Sequence, residues 1–487
     1  MPGGTWSALN PQTQPGFYVN FVTAAAATIQ GGDNGIVLIP FTADWGPVAT
    51  FKTVASQAEF ETAYWTSLNG TGRYAVLNAL RGSGAGRGGA RKVIAYRMAG
   101  ATKAKATKVL QNTTPANMVT LTALYEGTRP AVWTVTVQTA ASGGATLRDL
   151  ILKENGVEIE RFSDLPQADN TVWVTRINAT DGTGSKYMTA TANTNGVNIS
   201  NVADVAFNSS AGDSGLTVSG TEYTAFQTNA ENQTFSVLSP ADLTDSTIRG
   251  AMVTWAMGRN TVGQRFVLVI GGAAAETLIT GNTRSTGIAS ENVVNLAYTD
   301  LYDLDGVTVI STAKFAPRVA GMIADAGVSR SITQQRFSDV TLKVTPTSAD
   351  ILAAYNAGTL LLTTDSVGVK VQMDLTTYVA NTTIKSRAEF GKIKSVRTHQ
   401  QIESDLAAQA VANWLGGGNV NVAAVQSNIL GAIGAYLKVL ENSQIIQPGW
   451  TLTLDNTQNN TGNALYIKYG IATVKAIELM FNTITLA

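Results

Sequence analysis

The sequence predicts a multidomain protein of mixed α+β and α/β class. An α/β core is built from N-terminal and C-terminal parts of the chain, with an inserted antiparallel β domain and extended arms at both ends. Three observations carry this prediction. Strand-like and helix-like runs alternate over 23–100 and again from 238 onward. Between them, over 101–237, helical periods become rare and short alternating runs lie among Gly, Asn, Ser and Asp clusters. The length of 487 residues suits roughly two to four domains. The divisions are 1–22 as arm and linker strand, 23–100 as the first part of the core, and 101–237 as an inserted sandwich or barrel. They continue with 238–338 as the second part of the core, 339–475 as a C-terminal α+β domain and 476–487 as a terminal arm.

Residues 1–14 are polar, hold two prolines and show no hydrophobic period, so they read as an arm. Phe17, Tyr18, Val19 and Phe21 then form an aromatic, β-branched strand. The run Ile36, Val37, Leu38, Ile39 is too continuous for a one-sided sheet and reads as a strand covered on both faces. A strand at 48–54 follows the Trp45, Gly46, Pro47 turn, and Ser56 with Glu59 makes a capping box for a helix at 57–66. A helix at 74–80, a glycine-rich loop at 82–89 and a strand at 92–97 complete this part. In the insertion, 118–124, 133–138, 171–177 and 216–219 read as short strands. Beyond it come a helix at 239–258, a buried strand at 265–270, a helix at 273–279, strands at 293–296 and 306–311, and a helix at 315–326. The last part has helices at 402–415 and 422–441, strands at 450–454 and 464–474, an amphipathic turn at 477–480 and a strand-like run at 482–486. A hydrophobic terminal strand needs a sheet to join.

Composition excludes several function classes. The chain has no cysteine, so no disulfide framework exists, and with His399 as its single histidine the usual zinc sets cannot be assembled. Lys+Arg and Asp+Glu both number 34, a balance that argues against direct nucleic-acid binding, which needs clustered surplus cations. Charged residues make up 14% of the chain against about 25% in ordinary soluble proteins, which suggests an outer surface covered by other subunits. The N-terminus lacks the basic and apolar regions of a signal peptide, and apolar runs such as 266–270 and 360–362 fall far short of the roughly 20 residues that span a bilayer. Synthesis in a cytoplasm without membrane insertion is the expectation.

No catalytic, cofactor-binding or metal-binding residue is assigned. Residues 84–89 match G-x-G-x-x-G but follow a helix and precede a strand, the reverse of the dinucleotide fingerprint. Gly271 and Gly272 sit between strand and helix yet lack the third glycine, so a tight connection explains them. With Gly306 at the sixth place of a calcium loop, Leu301 and Thr312 would stand where carboxylates are needed, which leaves 303–306 as an acidic turn. His399 has no nucleophile signature nearby, and the eight tryptophans are scattered as core anchors are. Pairs of carboxylates as in a glycoside hydrolase are available but nothing selects one. A Thr/Asn-rich insertion also suits a secreted or surface β-rich adhesin, a reading opposed by the missing signal peptide and the long α/β portions.

The order of parts resembles a family. Lys392-Ile393-Lys394-Ser395-Val396-Arg397 precedes the helix at 402–414, a glycine-rich corner at 415–421, a helix ending in 436–441, the Ile445-Ile446 turn and the closing run 474–486. Upstream, 14–21, Tyr125-Glu126-Gly127-Thr128-Arg129 and 319–325 follow in the matching order. This is similar to the contractile tail sheath proteins of myophages and related phage-like particles, whose C-terminal pattern is strand, two-helix unit, strand and arm. The corner 416–419, Gly-Gly-Gly-Asn, departs from the family in lacking a Gly-Lys pair. The resemblance implies a non-enzymatic structural subunit without cofactor, in a virion tail assembled in the host cytoplasm. It would form stacked hexameric rings with copies of itself around an inner tail tube, between baseplate and tail terminator proteins, and contract to drive the tube through the host envelope. Phe17, Tyr18, Val19 and Phe21 at one end, and Phe481, Ile484 and Leu486 at the other, would add strands to neighbouring subunits. Glu403 and Asp405 would face the tube through breakable contacts, exposed ion pairs contributing only about 0–1 kcal/mol each, or else lie on a solvated helix face.

Overall fold

The computed structural model describes residues 3–5, 17–19 and 35–481, apart from 84–87, 113, 115, 304, 417–418 and 479. The chain divides into two compact units, one of Asp33–Gln401 with Lys475–Ala487 and one of Met1–Gly32 with Ile402–Val474. Residues 339–401, grouped by the sequence with the C-terminal helices, thus lie in the larger unit.

The larger unit is centred on a six-stranded sheet in the order Val293–Leu296, Val267–Gly271, Val237–Leu238, Ile36–Thr42, Lys92–Met98, Phe51–Val54. All neighbours are parallel except the last pair. Successive side chains point to opposite faces of a strand. Val37, Ile39 and Phe41 accordingly pack with helices Gly72–Arg81 and Thr312–Ala326, and Leu38, Ile94 and Tyr96 with helices Gly220–Ala230 and Ser246–Thr261. Burial on both sides is why the run at 36–40 shows no alternation. The first two helices touch so closely that a Cβ on Gly321 would stand 2.0 Å from the Ala79 carbonyl oxygen. Ser56 caps helix Gln57–Tyr64 by accepting from Glu59 N at 3.2 Å, while the Glu59 carboxylate reaches past the cap to Ala55 N at 2.8 Å.

The insertion holds two antiparallel sheets: Val157–Pro166, Leu147–Glu154, Trp133–Thr139, Val202–Ala206, and Met188–Ala192, Asn117–Ala123, Thr107–Gln111. Trp133, Val135 and Leu150 from the first share one core with Met118, Leu121 and Met188 from the second, so the sheets pack as a sandwich. The strand expected at 171–177 is instead a helix, Asn170–Ile177. Asp169 caps it, and its buried residues Asn170, Trp173 and Ile177 recur at helical spacing, which outweighs the β-branched composition. No strand forms at 216–219; Ser219 is the N-cap of Gly220–Ala230, with Glu222 closing a capping box. That helix covers the central sheet, so the sandwich ends well before 237.

Other boundaries move for similar reasons. Asp245, Thr277 and Ser311 cap helices Ser246–Thr261, Leu278–Ile288 and Thr312–Ala326, placing the first two later than expected. The segment 392–397, a strand by family pattern, is the start of helix Ile393–Gln409, whose Ile393 and Val396 enter the core three residues apart.

The insertion leaves and rejoins the core at one place. Gly100 N donates to Gly215 O at 2.8 Å, and Ala104 and Asp213 exchange two backbone bonds of 3.0 Å. Beside them the fully buried Arg97 donates to the carbonyls of Gly46, Glu126 and Ser214 at 2.6, 3.0 and 3.2 Å. Arg129 stacks over Trp45 and Trp133 at 5.5 and 5.9 Å and pairs with Glu154 at 2.8 Å.

Candidate assembly interface

The smaller unit is built on the end of helix Ile393–Gln409, a π turn at Ala410–Trp414, helix Ala423–Asn442 and an antiparallel hairpin of Thr451–Leu454 with Ile467–Gly470. Ile429, Ile433, Leu437 and Leu440 recur at helical spacing and bury against Ile402 and Ile446. Asp405 lies on the same inward stripe, only 3% exposed, and accepts a 2.6 Å bond from the Tyr436 hydroxyl. Burial, reinforced by that carboxylate, pushes the Tyr436 phenol far above its ordinary range. Asp405 is therefore corrected as an outward-facing residue: a polar side chain took the core position because a phenol satisfies it. Glu403 lies on the exposed face.

Apolar surface remains outside this small core. Leu406, Ala410, Trp414, Val425, Leu465 and Ile467 line a groove of about 420 Å³, and Val411, Leu415, Val420 and Val439 are exposed. Helix Ala423–Asn442 is long and apolar enough to cross a membrane by length and composition alone. Gln426, Ser427, Asn428, Lys438 and Glu441 interrupt it, so no unbroken apolar run of that length marks it in the sequence, and a helix that packs in a globular core meets the same criterion. A groove lined by apolar side chains is a place where another molecule can dock.

At the N-terminus, Phe17–Val19 forms the strand its residues predict, paired in parallel with Gly3–Thr5. Phe21, Ile484 and Leu486 lie outside the described residues. Phe481 is 89% exposed, as are Ile477 at 83% and Met480 at 76%. Interleaved with them, Lys475 pairs with Glu389 at 3.0 Å and Glu478 with Lys392 at 2.6 Å. No turn is formed by 477, 478 and 480, and 479 lies outside the described residues; within this stretch Glu478 is turned toward Lys392 while Ile477 and Met480 are exposed. The ion pairs were not legible in the sequence, because nothing local marks partners some 85 residues apart.

The motifs with possible chemistry resolve into structure. A Cβ on Gly272 would meet a Glu276 carboxylate oxygen at 1.8 Å, and Gly272 N donates to Thr312 Oγ1 at 2.8 Å, so the loop packs closely instead of cradling an anion. Asp305 accepts from Val307 N and Thr308 N at 2.9 and 2.8 Å, as an acidic turn does. Burial pushes the His399 imidazole down, opposed by Glu389 at 3.8 Å. Residues 84–87 lie outside the described residues. Among the described residues no group of three or more His, Asp or Glu could hold a metal.

Residues 217–377 match the phage tail sheath protein central domain. The chain is 23% identical over 429 residues to the protein YqbK of Bacillus subtilis (strain 168), covering 85% of this chain and 83% of that protein. Its fold is similar to a sheath tail protein from Desulfitobacterium hafniense, with a TM-score of 0.70 at 18% identity over 94% of this chain and 100% of that one. It is also similar to the helical sheath of the anti-feeding prophage in the contracted state, with a TM-score of 0.55 at 10% identity over 98% and 100% of the two chains.

Proposed function

We propose, from a chain that belongs through its central domain to the phage tail sheath family, that the protein is the repeating subunit of a contractile tail sheath. In this reading it polymerises as stacked hexameric rings around an inner tail tube, between baseplate and tail terminator proteins. It shortens to drive the tube through the host envelope, as part of a virion tail or phage-like particle assembled in the host cytoplasm. The match of 217–377 is the observation that carries it and favours it over a β-rich adhesin. The apolar surface of the smaller unit and the exposed Phe481 support it physically, since each needs a partner. Contraction is then a repacking of α/β bodies between discrete states, powered by strain stored at assembly and needing no catalysis. Terminal strands Phe17–Val19 and the run from Phe481 act as tethers that hold neighbours together while the bodies move.

Negative-stain microscopy of the purified chain tests this. Wild type should form hollow tubes or rings, while chains lacking 1–20 or 479–487 should keep their circular dichroism and stay unassembled. Wild type that remains monomeric at high concentration, or both truncations assembling normally, overturns the reading.

A further inference from the structure

The stretch after Val474 is fastened to the larger unit by side chains, not by secondary structure. Residues 475–478 belong to neither helix nor strand. Lys392 Nζ lies 2.8 and 2.6 Å from the two Glu478 carboxylate oxygens and 3.9 Å from Asp374 Oδ1, and the Thr333 hydroxyl donates to Glu478 at 3.1 Å. Thr333 is itself fixed, accepting from Asp374 N at 2.9 Å, and Asp374 accepts from the Ser331 hydroxyl at 2.8 Å. Lys392 and Glu478 are each only 20% exposed at the side chain, so the pair is shielded from much of the solvent that weakens surface ion pairs. Three residues earlier, Lys475 makes the second attachment, to Glu389. Two attachments three residues apart fix both the position and the direction of a segment.

We propose that Lys392 and Glu389 form a clasp on the root of the C-terminal segment, so that each subunit keeps 475–478 as its own and offers a neighbour only the residues beyond Glu478. Its role in tethering rests on the sheath reading; the clasp does not. Lys392 and Glu478 are then positioning residues: they aim the apolar side chains of Met480 and Phe481 away from their own subunit. Glu478 is the separable half, because without it Lys392 still has Asp374.

The experiment is electron paramagnetic resonance of a nitroxide on Ile477→Cys in the unassembled full-length chain, which has no cysteine of its own. With the clasp intact the label should report a restricted backbone, and Glu478→Gln should shorten its correlation time severalfold while circular dichroism stays unchanged. Lys475→Glu should act likewise, and Lys475→Glu combined with Glu389→Lys should restore the slow motion. Unchanged label motion in both single variants, or no rescue by the reversed pair, overturns the clasp. Wild type that fails to polymerise while Glu478→Gln still loosens the root sinks the sheath reading and upholds the clasp.

Discussion

Asp374 shows how one carboxylate makes stability depend on pH. Burial raises its pKa to about 6, more than Lys392 and the Ser331 hydroxyl lower it, and Glu478 adds to the rise. Unfolded, it titrates near the usual value of about 3.9. Between these limits the folded state binds more protons than the unfolded one, so this group's contribution falls as pH rises from about 4 to about 6 and is level above. Urea titrations should therefore show wild type losing stability relative to Asp374→Asn across that window, by about 3 kcal/mol. Parallel pH profiles would refute the assignment. Such residues are also where the sequence is least legible. Asp374 and Asp405 look like surface carboxylates until Ser331, Lys392 and Tyr436, all distant in the chain, are brought beside them.

At the level of elements, Arg97 joins core and insertion through three carbonyls on three separate segments. Arg97→Met removes those donors and leaves buried acceptors without them, and the cost should be about 3 kcal/mol or more. Calorimetry should show a lower melting temperature, with proteolysis concentrated at the junction near Gly100 and Gly215. A melting temperature within a degree or so of wild type would mean that the stacked Arg129, Trp45 and Trp133 hold the joint alone. The strands of the central sheet and the two-sheet insertion are legible because runs such as Ile36 to Ile39 and alternations such as Trp133, Val135, Val137 carry their own period. Helices Asn170–Ile177 and Ile393–Gln409 read as strands over part of their length. Their composition is β-branched or mixed, and only caps and three-residue spacing decide the matter.

For the whole molecule, the division at Ile402 implies two cooperative units. Scanning calorimetry should resolve two transitions, the lower one from the unit containing Ala423–Asn442, whose buried cluster is much the smaller. A single transition with matching calorimetric and van't Hoff enthalpies would show that the units melt as one. The meeting of Gly100 and Gly215 across 2.8 Å also gives the sandwich a doorway with its two posts side by side. A foreign polypeptide whose own termini lie close together can be spliced into that doorway without stretching the central sheet. The same junction that moors the insertion thus becomes a grafting port for a passenger cargo, repeated on every copy of the chain.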